Sequence, residues 1–173
     1  LLAPALFACA PDSGPEIAAV AETETIKTPY GFDVQLTLTP RAAEKLAQTD
    51  EAVNVAAMYY GLPVSDTAPG IDEHGEEVGL GRDDVEVAPQ SALVVAPGAG
   101  FDPTYLASVK GEPEVLVNVY SARKTHEHNL LSCGIYQGPI SMAQKKPVEI
   151  QCDLIDGLND DGDVVVETGT PGQ

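Results

Sequence analysis

Apolar and polar residues alternate one by one in several short stretches of this 173-residue chain. That period of two restricts the fold more than any other feature. Phe32, Val34, Leu36 and Leu38 alternate with Asp33, Gln35 and Thr37. Val148, Ile150, Cys152 and Leu154 alternate with Glu149, Gln151 and Asp153. Successive side chains of an extended chain point to opposite faces, so each stretch reads as a strand with one face buried. Val115, Val117 and Val119 make a third, against Leu116, Asn118 and Tyr120. The alternation over Ala52–Tyr60 is softer, and its two fairly apolar faces suit a central strand. Leu130–Tyr136 reads as another strand, and shorter ones fit near residues 77–80, 84–87 and 92–96.

Two helix starts interrupt the strands. Thr39 precedes Pro40, and Asp102 precedes Pro103, in each case a capping side chain before a proline suited to the first helical position. Gly111 stops the second helix. Strands and helices do not alternate regularly, which argues against a parallel α/β fold. The expected fold class is all-β: an antiparallel β-sandwich, immunoglobulin-like or transthyretin-like, of about 6–8 strands with two short helices. Residues 27–155 form this domain, preceded by a Pro/Ala/Glu/Thr-rich tether and followed by an acidic tail over 156–173, where Val164–Val166 fits one more edge strand.

The alternation also orients two cysteines. Cys133 shares a face with Leu131 and Ile135, and Cys152 shares one with Val148 and Ile150. Both sulfurs are thereby expected on core faces, as a structural bridge requires if the Cα atoms approach within about 7 Å. The alternative is a pair of buried free thiols. A bridge would close a loop of 18 intervening residues (152 − 133 − 1), stabilising the fold by about 3 kcal/mol through the denatured chain.

The third cysteine ends an apolar run, Leu1-Leu2-Ala3-Pro4-Ala5-Leu6-Phe7-Ala8-Cys9. The segment Leu6-Phe7-Ala8-Cys9 resembles the lipobox that closes a bacterial lipoprotein signal peptide. The resemblance implies that residues 1–8 are a signal-peptide remnant, that Cys9 is the lipidated first residue, and that 9–26 is a tether. It implies a bacterial cell-envelope protein anchored by lipid. Ala10 in place of an aspartate after Cys9 resembles the outer-membrane sorting class, facing the periplasm. The alternative is cleavage after Ala10 and a secreted or periplasmic soluble product, although Pro11 would then follow the cut. Lipidating Cys9 leaves an even pair, Cys133 and Cys152, for an oxidising compartment.

Charge limits the partners. With 27 acidic against 9 basic residues the chain carries a formal −18, which repels nucleic-acid phosphates. Anionic headgroups repel it too, so the lipid has to do the anchoring. Eight carboxylates fall between Asp66 and Glu86 and read as solvated surface. Divalent-cation or cationic-ligand binding is the sharper alternative.

One compact polar group stands out: Ser121-Ala122-Arg123-Lys124-Thr125-His126-Glu127-His128-Asn129. It lies between two strands, and Arg123 with Lys124 is a rare positive spot. Arg123, Lys124, His126, His128 and Asn129 are the candidate binding loop, for an envelope protein or a small polar ligand. In an extended segment His126 and His128 share a face, as metal-ligating imidazoles do, and a third donor would come from His74 or a distant carboxylate. No cofactor is expected apart from that possible divalent metal. Asp72-Glu73-His74-Gly75-Glu76-Glu77 reads as a solvated loop. Asn159–Asp163 is not an EF-hand, because the bidentate glutamate position falls on Thr168. Nucleophile-elbow, P-loop and dinucleotide-binding motifs are missing, so catalytic residues are expected to be none. The sequence therefore favours a non-enzymatic, lipid-anchored binding or interaction domain. Its alternatives are a periplasmic metal-binding protein using His126 and His128, and an envelope enzyme of unrecognised type.

Overall fold

The computed structural model describes residues 26–158. Cys9, the leader, the tether up to residue 25 and the tail from residue 159, Val164–Val166 included, lie outside the described residues. The elements run β1 (Phe32–Leu38), α1 (Pro40–Gln48), β2 (Val53–Gly61), β3 (Val78–Val87), β4 (Ala92–Ala96), a 3-10 helix (Pro103–Ser108), β5 (Glu114–Ser121), β6 (Leu131–Cys133), β7 (Tyr136–Pro139), α2 (Ile140–Ala143) and β8 (Val148–Leu154). They build a β-sandwich of two four-stranded sheets, ordered β4-β1-β8-β6 and β3-β2-β5-β7. All neighbours pair antiparallel except β1 and β8, which run parallel, Val34 opposite Val148 and Leu38 opposite Cys152. A parallel pair needs a long connection, and here nearly the whole domain connects the first strand to the last.

The core follows from the alternation. Phe32, Val34, Leu36 and Leu38 from one sheet face Val53, Val55, Ala57, Tyr59, Val115, Val117 and Val119 from the other. On β2 the outward-facing Ala56 and Tyr60 are buried as well, as a central strand with two apolar faces requires. Both expected helix starts are capped. Thr39 Oγ1 accepts from Ala42 N at 3.3 Å, and an Asp102 carboxylate oxygen accepts from Thr104 N at 2.9 Å. The second helix is of the tight 3-10 type. No helix among the described residues is long and apolar enough to cross a membrane.

Three local readings change. Residues 77–80 and 84–87 belong to one ten-residue strand, β3. It passes through Gly81 at φ +96°, where a Cβ would collide with the carbonyl oxygen of Gly100. Glycine thus lets the 97–101 turn lie against a continuous strand. The stretch 130–136 divides in two: β6 and β7 lie in different sheets, and the chain crosses between them at Gly134 and Ile135. Ile135 therefore leaves the core and is exposed. Helix α2 is a third helix, a single turn that buries Ile140 and Ala143 and is too short to show helical periodicity.

The disulfide joins Cys133 to Cys152, directly opposite each other on β6 and β8 with Cα atoms 4.1 Å apart. Cys152 is buried, whereas Cys133 is only half-buried because β6 is the edge of its sheet.

Candidate functional site

The candidate loop leaves β5 at the end of the sandwich where β1 finishes and α1 sits. Ala122 N donates to Ala52 O at 2.8 Å, tying the loop to the residue before β2. The residue that shapes the loop is Glu51, only 3% exposed. Its carboxylate accepts from the backbone N–H groups of Lys124 (3.0 Å), Thr125 (3.1 Å), His126 (3.4 Å) and Ala52 (3.0 Å), and from Thr125 Oγ1 (3.2 Å). Successive N–H groups that converge in this way form a nest for an anion, and here the anion is the protein's own side chain. Burial pushes the Glu51 carboxyl up, but the N–H donors of Thr125, Lys124, Ala52 and His126 outweigh it and hold the group below its ordinary value.

The nest depends on Arg123. Its φ of +58° turns the chain so that the next three N–H groups point the same way. A long side chain tolerates the left-handed region at some cost, and a β-branched one tolerates it poorly. Arg123→Val is expected to lower stability by about 1–2 kcal/mol, whereas Arg123→Gly is expected to be close to neutral. Urea titration of both variants measures the difference.

The far side of the loop is pinned by Asn129. Its Oδ1 accepts from Ser121 N (2.9 Å) and Leu131 N (3.0 Å), and its Nδ2 donates to Leu131 O (2.7 Å). Asn129 is thereby a structural clamp at the loop's base. Arg123 and Lys124 are exposed but engaged with the outer face of the β3-β2-β5-β7 sheet. The Arg123 guanidinium lies 5.6 Å from the Tyr120 ring centroid, and Lys124 Nζ is 2.7 Å from Glu86 Oε1.

Beneath them the sheet brings together four residues that are scattered in sequence. Asn54 Nδ2 donates to Asp84 Oδ1 (2.8 Å) and to the Tyr120 hydroxyl (2.7 Å). Arg82 donates to both oxygens of Asp84 (2.6 and 2.7 Å) and to the Tyr120 hydroxyl (2.6 Å). Arg82 first, with Asn54 and Tyr120, holds the Asp84 carboxyl below its ordinary value against the opposing effect of burial. This cluster extends the loop's polar surface down the sheet.

Among the described residues His126 and His128 belong to no group of three or more metal-ligating side chains. His126 Nδ1 lies 3.0 Å from its neighbour Thr125 Oγ1, and His74 is on the β2–β3 loop beside Glu73. Among the described residues no group of three or more His, Cys, Asp or Glu side chains is placed to hold a metal ion. In the Asp72–Glu77 loop, Asp72 Oδ1 instead accepts from Glu76 N (2.9 Å) and Glu77 N (3.3 Å), closing the loop on itself.

Asp83 departs from the solvated reading of the acidic stretch. It is 6% exposed and accepts from Tyr59 Oη (2.8 Å), Gly98 N (2.6 Å) and Gly100 N (2.6 Å). Burial first, then the Asp83 carboxylate, pushes the Tyr59 hydroxyl up. Asp83 thus fastens the 98–100 turn to the core. The chain matches no protein-family model, no curated protein and no solved structure.

Proposed function

We propose that this is a lipid-anchored binding domain of the bacterial cell envelope, non-enzymatic, attached through Cys9 at the outer membrane and facing the periplasm. The observation that carries the binding role is the Glu51 nest. A loop whose backbone is fixed from within displays Arg123, Lys124, His126 and His128 with little ordering left to do when a partner arrives. The loop also lies at the end of the sandwich opposite Ile26, so a tether entering at Ile26 would hold it away from the membrane. The partner that suits it is an envelope protein segment or a small ligand able to engage cationic and imidazole groups on a chain that is otherwise acidic.

Two measurements on membrane-extracted protein test this reading. Intact mass is expected to give a mature chain beginning at Cys9 with added acyl mass; a chain beginning at Pro11 overturns the anchor. A photo-crosslinker at Glu127, on the loop, is expected to give a discrete adduct in intact cells that Arg123→Ala with Lys124→Ala removes. The same probe at Gln35, on the other sheet, is expected to give none. Equal labelling from both positions overturns the loop as the binding surface.

A further inference from the structure

The exposed large apolar side chains are not spread evenly over the domain. Ile26, Leu62, Val64, Tyr105 and Met142 all lie at the end of the sandwich where the chain enters β1. The contacts that bring them together run through that end. Thr28 N donates to Pro97 O (2.8 Å), Tyr30 stacks on Phe101 with ring centroids 3.5 Å apart, and the 3-10 helix carrying Tyr105 follows directly. Val64 N donates to Ser108 O (2.9 Å) at the far end of that helix, and Lys110 N donates to Leu62 O (2.7 Å). Gln144, just after α2, donates to Pro29 O (2.7 Å) and Gly31 O (3.2 Å), which sets Met142 beside the same segment. Of the other two exposed large apolar side chains, Leu93 is on edge strand β4 and Ile135 is at the crossing between sheets.

We infer that this end of the domain rests on the lipid surface, with Leu62, Val64 and Tyr105 entering the headgroup layer. The inference rests on lipidation of Cys9. From Cys9 to Ile26 the chain has 17 steps (26 − 9), a span of at most about 60 Å, and it arrives at the patch itself. An anchored chain raises the effective concentration of lipid at the point of arrival, so a patch too small to bind a membrane alone becomes sufficient. Leu62 and Val64 are 54% and 55% exposed, on a loop whose backbone is held by Ser108 and Lys110, so they are presented without ordering cost. Lys110, Lys145 and Lys146 stand at the same end, as does Lys27, whose ammonium is paired with Asp33 at 2.7 Å, and long ammonium side chains such as the first three reach phosphate oxygens while their stems lie on apolar surface. Asp66, Asp72, Glu73, Glu76 and Glu77, further along the same β2–β3 loop that carries Leu62 and Val64, set the lipid class: a zwitterionic surface is tolerated and an anionic one repelled. The proximal end then faces lipid while the Glu51 loop faces outward.

The chain has no tryptophan, so one introduced residue reports its own surroundings. Full-length acylated protein carrying Val64→Trp, in phosphatidylcholine vesicles with brominated chains, is expected to show blue-shifted and quenched emission. Glu127→Trp, at the opposite end, is expected to show neither. Replacing part of the lipid with phosphatidylglycerol is expected to reduce the Val64→Trp effect, most strongly at low salt. Acylated protein that floats with the vesicles but gives equal emission from both positions overturns the orientation alone. Protein without acyl mass that does not float overturns the anchor as well. Blue-shifted Val64→Trp emission without quenching, together with sedimentation as a dimer, assigns the patch to a second copy and overturns the lipid assignment.

Discussion

Glu51→Ala is expected to lower the unfolding free energy by about 2–4 kcal/mol and to free the 122–129 loop while leaving both sheets intact. The wild-type carboxylate satisfies four backbone N–H groups and one hydroxyl in a site only 3% exposed. Truncation leaves those donors facing one another, and hydrogen bonds to a charged acceptor contribute roughly 1.5–3 kcal/mol each before solvent re-enters. Amide hydrogen exchange is expected to accelerate at Lys124, Thr125 and His126 far more than at Val117 or Ile150. Glu51→Gln is expected to fall between the two, because an amide offers one acceptor oxygen and turns a donor toward the other N–H groups. The pH dependence has a definite sign. The folded-state carboxyl lies below its unfolded value, so the unfolded chain binds more protons as pH falls. The stabilisation is therefore fully present above the ordinary glutamate range, about pH 4.3, and is lost as pH falls through the folded value. Asp153, held at about 2 by the Arg41 guanidinium and the Thr39 hydroxyl, adds a slope of the same sign. Only the difference between wild type and Glu51→Gln isolates the nest. Equal acid slopes for the two would count against it.

The strands were legible where one face is buried and the other wet. In β1, β5 and β8 the sequence alternates as the burial does, and the cysteine on β8 inherits its position from that rhythm. The rhythm is local, however, and what it misses is long-range. Nothing within 130–136 says that the chain changes sheets at Gly134, because both halves are compatible with a strand until each finds its neighbour. Glu51 was invisible for a different reason. It precedes a strand like many surface glutamates, and three of its four backbone N–H partners are more than 70 residues away and carry no side-chain signature. Asp83 was hidden among carboxylates that are solvated, although the Gly98-Ala99-Gly100 turn that wraps it has the small residues a close backbone approach demands. The candidate loop was found as a run of polar residues. The Asn54, Arg82, Asp84 and Tyr120 cluster below it is a product of strand register alone.

Removing the disulfide is the other change with a large expected effect. Cys133→Ala combined with Cys152→Ala is expected to destabilise the domain by about 3 kcal/mol through the denatured chain, because the bond closes a loop across a sequence separation of 19. Truncating the buried Cys152 side chain adds a packing loss on top of that. For a domain of this size the sum corresponds to a fall in Tm on the order of 10 °C. The native-state consequence is local. Strand β6 has three residues, sits at a sheet edge, and pairs with β8 over Leu131–Cys133 alone, followed by Gly134 N on Gln151 O at 2.9 Å. Without the covalent link so short an edge is expected to open ahead of the rest, with faster exchange at position 133 and Gly134 than at Val34 or Val117. Since the candidate loop ends where β6 begins, and Asn129 clamps that junction through Leu131, the opening is expected to reach the loop from its C-terminal side. Glu51 would still hold the N-terminal half. The double alanine variant and Glu51→Ala therefore loosen opposite halves of one loop, and the variant carrying all three changes is expected to lose more than the sum of the two. Strict additivity in denaturant titrations would mean that the two clamps hold independent segments.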